Sequence, residues 1–175
     1  MKMKIVLIVL LALVFNTNMF GQKEYVDKVN QFNNNGYKEG YWVEKHEGNT
    51  FELYYRNGLK SGIFKSYSKT RTLSAFGEYT NGEITGIWYY FGDKGHLLMI
   101  QKDFSTNKET VILDNGKKYL YPHKCYTIFY YPSGIIKAEG GLLWNDDPEM
   151  DDVYESGKWK YYDETGKLIK TIQFN

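Results

Sequence analysis

An all-β fold, an elongated and twisted antiparallel meander of stacked hairpins with about ten strands, is the class this sequence predicts. Three observations carry the prediction. The chain of 175 residues holds 17 Tyr, 10 Phe and 4 Trp, and large rings suit the pleated, half-buried surface of a strand. A spacing of Asn or Asp, usually Gly, three residues, Gly, one residue and an aromatic recurs in "NGYKEGYW" (Asn35 to Trp42), "NGLKSGIF" (Asn57 to Phe64), "NGEITGIW" (Asn81 to Trp88) and "DVYESGKW" (Asp152 to Trp159). Tyrosine pairs run into turn residues in "YYRNG" (54–58), "YYFGDKG" (89–95), "YYPSG" (130–134) and "YYDETG" (161–166). Gly and Asn tolerate the positive φ of tight turns, so these are hairpin signals.

The first element stands outside the fold. Lys2 and Lys4 precede eleven uncharged apolar residues, Ile5 to Phe15, and a polar stretch ending at Gly21. A basic start, an apolar run and a small residue ahead of a cut make a secretory signal peptide over residues 1–21. The apolar run is shorter than the roughly 18 residues that a membrane span needs. Cleavage removes two lysines, so 22 Lys and Arg become 20 against 21 Asp and Glu. That balance is no footprint for nucleic acid or an anionic membrane. The single Cys125 forms no intramolecular disulfide, so packing must hold the domain.

Residues 22–34 form a lead-in, with Tyr25, Val29 and Phe32 at helical spacing; a short helix and an unstructured segment both fit. The repeat domain follows over 35–175. Strands are predicted at Tyr41–His46, Phe51–Tyr55, Ile63–Ser68, Thr72–Tyr79, Ile87–Phe91, His96–Phe104, Tyr126–Tyr131, Ile135–Leu143, Lys158–Tyr162 and Lys167–Phe174, with one more at Thr110–Leu113. The repeat positions expected to build the fold are Gly36, Gly40 and Trp42, then Gly58, Gly62 and Phe64, Gly82, Gly86 and Trp88, and Gly157 with Trp159. Residues i and i+2 of a strand share a face. Gly86 is therefore expected to leave bare backbone beside Trp88, where a ring from the neighbouring strand lies over it. Gly82 is expected to turn the chain into that strand. A decayed copy is read at "NGKKYLY" (Asn115 to Tyr121), with Leu120 at the second glycine position. The first three copies start 22 and 24 residues apart and the later ones 34 and 37. Stacked supersecondary units with insertions have such periods.

Glycine–spacer–aromatic hairpins of this length resemble MORN repeats, most closely the variant common in exported bacterial proteins, over roughly Asn35 to Phe174. The resemblance implies an elongated antiparallel meander and no shared reaction. Some bacterial members of the family are classed as antitoxins, which gives one functional alternative.

No residue set points to catalysis, a cofactor or a metal. The acidic stretch with Asp146, Asp147, Glu149, Asp151, Asp152 and Glu155 reads as a solvated loop. Counted from Asp147, a calcium loop needs glycine at Asp152 and glutamate at Lys158. His123 and Cys125 are two ligands where zinc takes four, and His46 and His96 are distant in sequence. Glu44, Glu52 and Glu78 carry no spacing that singles out a glycosidase pair. Lys65, Lys158, Lys160 and Lys170 interrupt any lipid-facing band of a membrane barrel. The expected function is an exported, non-enzymatic protein-interaction module, with a carbohydrate or cell-wall binding module as the alternative. The expected partner is another protein or an envelope polymer, not nucleic acid. Two tests follow from the sequence: mass spectrometry of the exported chain is expected to find an N-terminus at or near Gln22, and EGTA is expected to leave its melting temperature unchanged.

Overall fold

The computed structural model describes residues 28–112, 116–145 and 153–174. The expected signal peptide, the start of the lead-in, Asn115 and the acidic residues 146–152 lie outside them. The described residues form fourteen strands and no helix. After β1 (Gln31–Phe32) and β2 (Lys38–His46) come four long hairpins. The first is β3 (Asn49–Arg56) with β4 (Leu59–Lys60) and β5 (Gly62–Tyr67); the second is β6 (Leu73–Thr80) with β7 (Glu83–Phe91). The third is β8 (Leu97–Thr106) with β11 (His123–Tyr130), and between them lies a small hairpin, β9 (Thr110–Ile112) and β10 (Lys118–Leu120). The fourth is β12 (Ile136–Trp144) with β13 (Val153–Tyr162), and β14 (Leu168–Phe174) closes the series. The strands pair in the order β1-β2-β3-β5-β6-β7-β8-β11-β12-β13-β14, with β4 beside β3, and β9–β10 is a sheet of its own. The main sheet is an open antiparallel meander, not a barrel.

The turns follow from their residues. Asn57-Gly58 and Asn81-Gly82 both have positive φ and form two-residue loops between Arg56 and Leu59 and between Thr80 and Glu83. That is the geometry whose twist matches the flanking strands. Glu47-Gly48, also at positive φ, makes a third such loop between His46 and Asn49, and four-residue turns lie at 68–71, 92–95, 131–134 and 163–166, each closed by the last residue's N–H on the first residue's carbonyl. The second strand then carries one extra residue, Ser74, Leu98, Lys137 or Ile169. At the open edge, Asn30 substitutes for a strand residue. Its Nδ2 donates to the Val43 carbonyl at 3.2 Å and its Oδ1 accepts from the Val43 N–H at 2.8 Å.

The core is a row of side chains crossing one face of the sheet. Trp42 stands opposite Leu53, Phe64 opposite Gly77, Trp88 opposite Gln101, Gln101 opposite Thr127, Thr127 opposite Gly140 and Trp159 opposite Ile172. Strands sit only about 4.8 Å apart, so an indole lying flat covers its neighbour. The neighbour has to be small. A Cβ built on Gly77 would meet Trp88 at 2.2 Å, and one on Gly140 would meet Trp159 at 2.4 Å. Trp88 and Trp159 are thereby 3% and 1% exposed without a second layer over them. Flanking rings complete the cover. Trp88 stacks on Phe64 at 5.2 Å and meets the edge of Tyr79 at 5.1 Å, and Trp159 lies between Phe129 and Tyr161. The indole N–H groups are satisfied too: Trp159 donates to the Gly141 carbonyl at 2.9 Å, and Trp88 to the Glu78 and Thr85 carbonyls.

This corrects the expected role of Gly86. No ring covers it, and the nearest atom to a Cβ there would be Glu78 Oε2 at 3.7 Å. Its φ is +69°, in the left-handed region, and Gly40, Gly62 and Gly157 share that conformation. Gly77 stands alone on β6 against Gly86, Ile87 and Trp88 on β7, between the pairs Phe76–Tyr89 and Glu78–Thr85. Gly140 stands alone in the same way against Gly157, Lys158 and Trp159. The motif glycine therefore makes a bulge inside the strand, and the bulge tips the following aromatic onto the glycine across from it. For the same reason β2, β7 and β13 begin ahead of their motif glycines, not after them as expected. The described part of the lead-in holds no helix; it is irregular except at Gln31 and Phe32, which pair with Glu39 and Lys38. Gly36 ends the turn from Asn33 that joins β1 to β2. Leu120 is no degenerate second glycine. It lies in β10, which pairs only with β9, and the matching position in the sheet is Cys125, two residues ahead of Thr127.

Trp88→Ala is expected to destabilise the domain by about 3–5 kcal/mol, as a vacated buried ring site does. Gly77→Ala is expected to cost more than Gly86→Ala, whose strain is about 1–2 kcal/mol from positive φ alone. Urea midpoints of the three variants check the order.

Candidate functional site

A single-layer sheet offers two faces, and the one opposite the tryptophans is built as another row. Val43, Glu52, Lys65, Phe76, Tyr89, Ile100, Ile128, Glu139, Lys160 and Thr171 stand each opposite the next. Its centre, Phe76 to Ile128, is apolar or aromatic, and a Glu–Lys pair stands on either side. Lys65 Nζ lies 3.7 Å from Glu52, and Lys160 Nζ lies 3.2 Å from Glu139. The two pairs occupy the same register in the first and fourth hairpins, and each has a tyrosine of the preceding strand beside it. Burial first, and then Glu52, pushes the Tyr41 phenol up to about 12. Burial and Glu139 do the same to Tyr126, also to about 12. Burial alone would raise the Glu139 pKa, but hydrogen bonds from Tyr162, Lys160 and Tyr126 outweigh it and hold the carboxyl below its ordinary value. The Tyr162 hydroxyl donates to Glu139 Oε1 at 2.7 Å. Around this strip Tyr54, Ile63 and Ile87 are exposed, and Tyr41, Tyr54, Ile63, Glu52 and Lys65 line a shallow depression of about 270 Å³.

A deeper feature lies on the tryptophan side, at the end of the sheet where the Asn-Gly loops turn. The first and second hairpins close there with Asn57-Gly58 and Asn81-Gly82. The third opens at the same place into β9–β10, and in the fourth Trp144 and Val153 are the last described pair at that end. Beside the last regular loop is a cleft of about 550 Å³. The second hairpin contributes Tyr79, Glu83 and Thr85, the third Phe104 and His123, and the fourth Trp144. His123 stacks on Trp144 at 5.3 Å with planes 23° apart, and Phe104 meets Trp144 edge-on at 6.0 Å. Among the described residues lining the cleft, Glu83 is the one carboxylate and there is no lysine or arginine. The β9–β10 hairpin packs on the other face of the sheet, where Val111 and Tyr121 meet Leu143 and Tyr121 stacks on Tyr154 at 5.9 Å.

The residues weighed for chemistry are dispersed. Glu44 shares the tryptophan face and pairs with Lys38, whereas Glu52 and Glu78 alternate onto the other face. Cys125 is buried, its Sγ lies 3.4 Å from Thr127 Oγ1, and burial pushes the thiol pKa up, away from a reactive thiolate. His123 shares its strand face but is engaged with Trp144. His46 is exposed beside Glu47 at 3.8 Å, and His96 folds over Gly92 in the 92–95 turn. Among the described residues no group of three His, Cys, Asp or Glu is placed to hold a metal, and no helix is long and apolar enough to cross a membrane. Of the acidic stretch only Glu155 is described, accepting from the Tyr161 hydroxyl at 3.2 Å.

The repeat residues Gly40, Trp42, Gly62, Phe64, Gly86, Trp88, Gly157 and Trp159 serve the core row, Gly58 and Gly82 the loops, and none but Gly82 lines the cleft. The repeat spacing does not single out Trp144. A usable signal was present: it is the one tryptophan without glycine two residues ahead, Leu142 standing there instead. No family model matches this chain, and no curated protein matches it either.

Glu139 has a depressed folded-state pKa, so its stabilising contribution is present above the unfolded value near 4.5 and is lost as pH falls through the lower folded value. Glu139→Gln is accordingly expected to lose about 1 kcal/mol at neutral pH. The gap to the wild type should close as urea midpoints are followed below the pH of the unfolded carboxyl.

Proposed function

We propose that this chain is an exported, non-enzymatic repeat module that holds another protein against the tyrosine-rich face of its sheet. The observation that carries this reading is the composition of the crossing row: an apolar centre, Phe76–Tyr89–Ile100–Ile128, between two Glu–Lys pairs neutralised within the molecule. An apolar centre with a polar rim whose hydrogen bonds are satisfied is the anatomy of a protein interface. Internally paired charges also remove the desolvation cost that unpaired ones would impose on docking. Eleven strands at about 4.8 Å spacing extend roughly 50 Å, enough for a standard footprint of about 800 Å² per partner. Export is supported by the lysine-flanked apolar run at residues 1–21. The alternative, a carbohydrate or cell-wall binding module, is favoured by a different feature, the aromatic cleft beside Trp144.

Ile63 and Ile87 are exposed on this face, so charging them tests the surface without emptying the core. The Ile63→Lys/Ile87→Lys double variant is expected to keep its urea midpoint and to lose about tenfold or more in affinity for the partner. The check is a pull-down from the envelope fraction followed by titration of the purified partner. A partner held equally by the double variant would place the interface elsewhere.

A further inference from the structure

We infer that the partner held by the tyrosine-rich face is a second copy of this chain, seated face to face across a two-fold axis. This rests on the reading of that face given above and names its occupant. The order of charges along the crossing row carries it. From β3 to β13 the row begins with Glu52 and Lys65, passes through the four apolar residues and ends with Glu139 and Lys160. Its midpoint falls between Tyr89 on β7 and Ile100 on β8. Counted outward from there, the third residues are Lys65 and Glu139 and the fourth are Glu52 and Lys160, opposite in sign at both steps. A two-fold axis parallel to the strands at that midpoint lays β7 on the β8 of the second copy and β3 on its β13. Lys65 then faces Glu139 of the second copy and Glu52 faces its Lys160, each contact made twice, as an isologous interface requires. An axis along the row would set Glu52 on Glu52 and Lys65 on Lys65, which like-charge repulsion disfavours.

The uncharged part of the face suits the same arrangement. Phe76 comes over Ile128 and Tyr89 over Ile100, and all four are only partly buried in the single copy. In the next row toward the Asn-Gly loops, Ile63 stands opposite Glu78 and Gly141 opposite Tyr126. The same axis sets Ile63, 49% exposed, over Gly141, where no side chain stands against it. The two ion pairs are already closed within each copy, at 3.7 and 3.2 Å. Docking therefore joins antiparallel dipoles into four-charge networks and leaves none of these charges unpaired. The strands from β3 to β13 span about 34 Å, and three rows of side chains about 20 Å. That is roughly 700 Å² per copy, close to the 800 Å² or so of a standard interface. The β9–β10 hairpin stands on Leu143, about 14 Å along the strand from Glu139, where it borders the strip.

The test is sedimentation of the full exported chain across a concentration series. A dimer is expected, with a Kd of about 10 μM or below, as interfaces of this size give. Glu52→Lys/Lys65→Glu keeps the internal pair but reverses it, which sets like charges on each other across the interface. It is expected to raise the Kd about tenfold or more. Adding Glu139→Lys/Lys160→Glu reverses the other pair and should restore the dimer. Mixing the two double variants should likewise give a mixed dimer that neither forms alone. Melting curves check that each variant folds. Ile63→Lys/Ile87→Lys leaves the Glu139 hydrogen bonds untouched and is an independent check, expected to stay monomeric over the same series. A wild-type chain still monomeric at about 1 mM, or a dimer unchanged in Glu52→Lys/Lys65→Glu, would overturn the inference. Capture of a different protein by a monomeric chain, lost in Ile63→Lys/Ile87→Lys, would also overturn it while leaving the docking face proposed above in place.

Discussion

Trp88 over Gly77 and Trp159 over Gly140 are the contacts on which this architecture depends. A sheet with no second layer has nothing to pack on except itself, and rings standing upright on it would remain wet. Laying an indole flat across the adjacent strand solves this, but only where that strand has no side chain at the point of overlap, since a Cβ would sit 2.2 or 2.4 Å from the ring. The bulge at the motif glycine provides the tilt, and the cross-strand glycine provides the space. The two glycines have different physical roles, one conformational and one steric, and the fold needs both.

The repeat period follows from the same constraint. A ring wider than the strand spacing cannot occur on every strand, so glycine stands under the ring at Gly77 beneath Trp88 and at Gly140 beneath Trp159. Two strands with their turns make one unit of about 23 residues. The third hairpin departs from this pattern. Thr127 takes the ring position and is fully buried, Cys125 takes the glycine position, and the bulge moves to the partner strand, where Asp103 adopts positive φ. Tyr90 compensates in part by donating its hydroxyl to Gln101 at 2.9 Å. The irregular hairpin is also the one that opens into β9–β10, so the interruption in the core row and the insertion belong to the same unit.

Freed from carrying the core, the opposite face has a different chemistry. Its Glu–Lys pairs recur at the first and fourth hairpins, whereas the second and third replace them with Phe76, Tyr89, Ile100 and Ile128. The result is one apolar strip framed by two neutral polar clusters, on strands whose positions are set by the tryptophan side. The cleft beside Trp144 lies on that tryptophan side but beyond the regular array. The protein-binding face proposed above would thus leave undisturbed the packing that holds the sheet.

Much of the fold was legible because its signals are local. Positive φ at Asn57-Gly58 and Asn81-Gly82 is a property of those residues, and so are the hairpins after the tyrosine pairs and the 22- to 24-residue spacing of the first three copies. The role of Gly86 was misread because glycine next to a ring fits either a covered gap or a bulge. The difference lies in φ and in the strand across from it, and Gly77 lies outside the repeated motif. Leu120 matched a spacing but belongs to an inserted hairpin, which only pairing reveals. Trp144, Phe104 and Tyr79 are far apart along the chain and share no motif, so nothing local marks their convergence. The sequence by itself determined an all-β meander, its Asn-Gly turns and which rings its repeats bury, because backbone conformation and hydrophobic period are written residue by residue. The tertiary structure alone decided which glycine lies under which ring, which face is left for a partner and where the cleft opens. Those depend on cross-strand register through the bulges, a relation between distant segments that no short stretch of sequence contains.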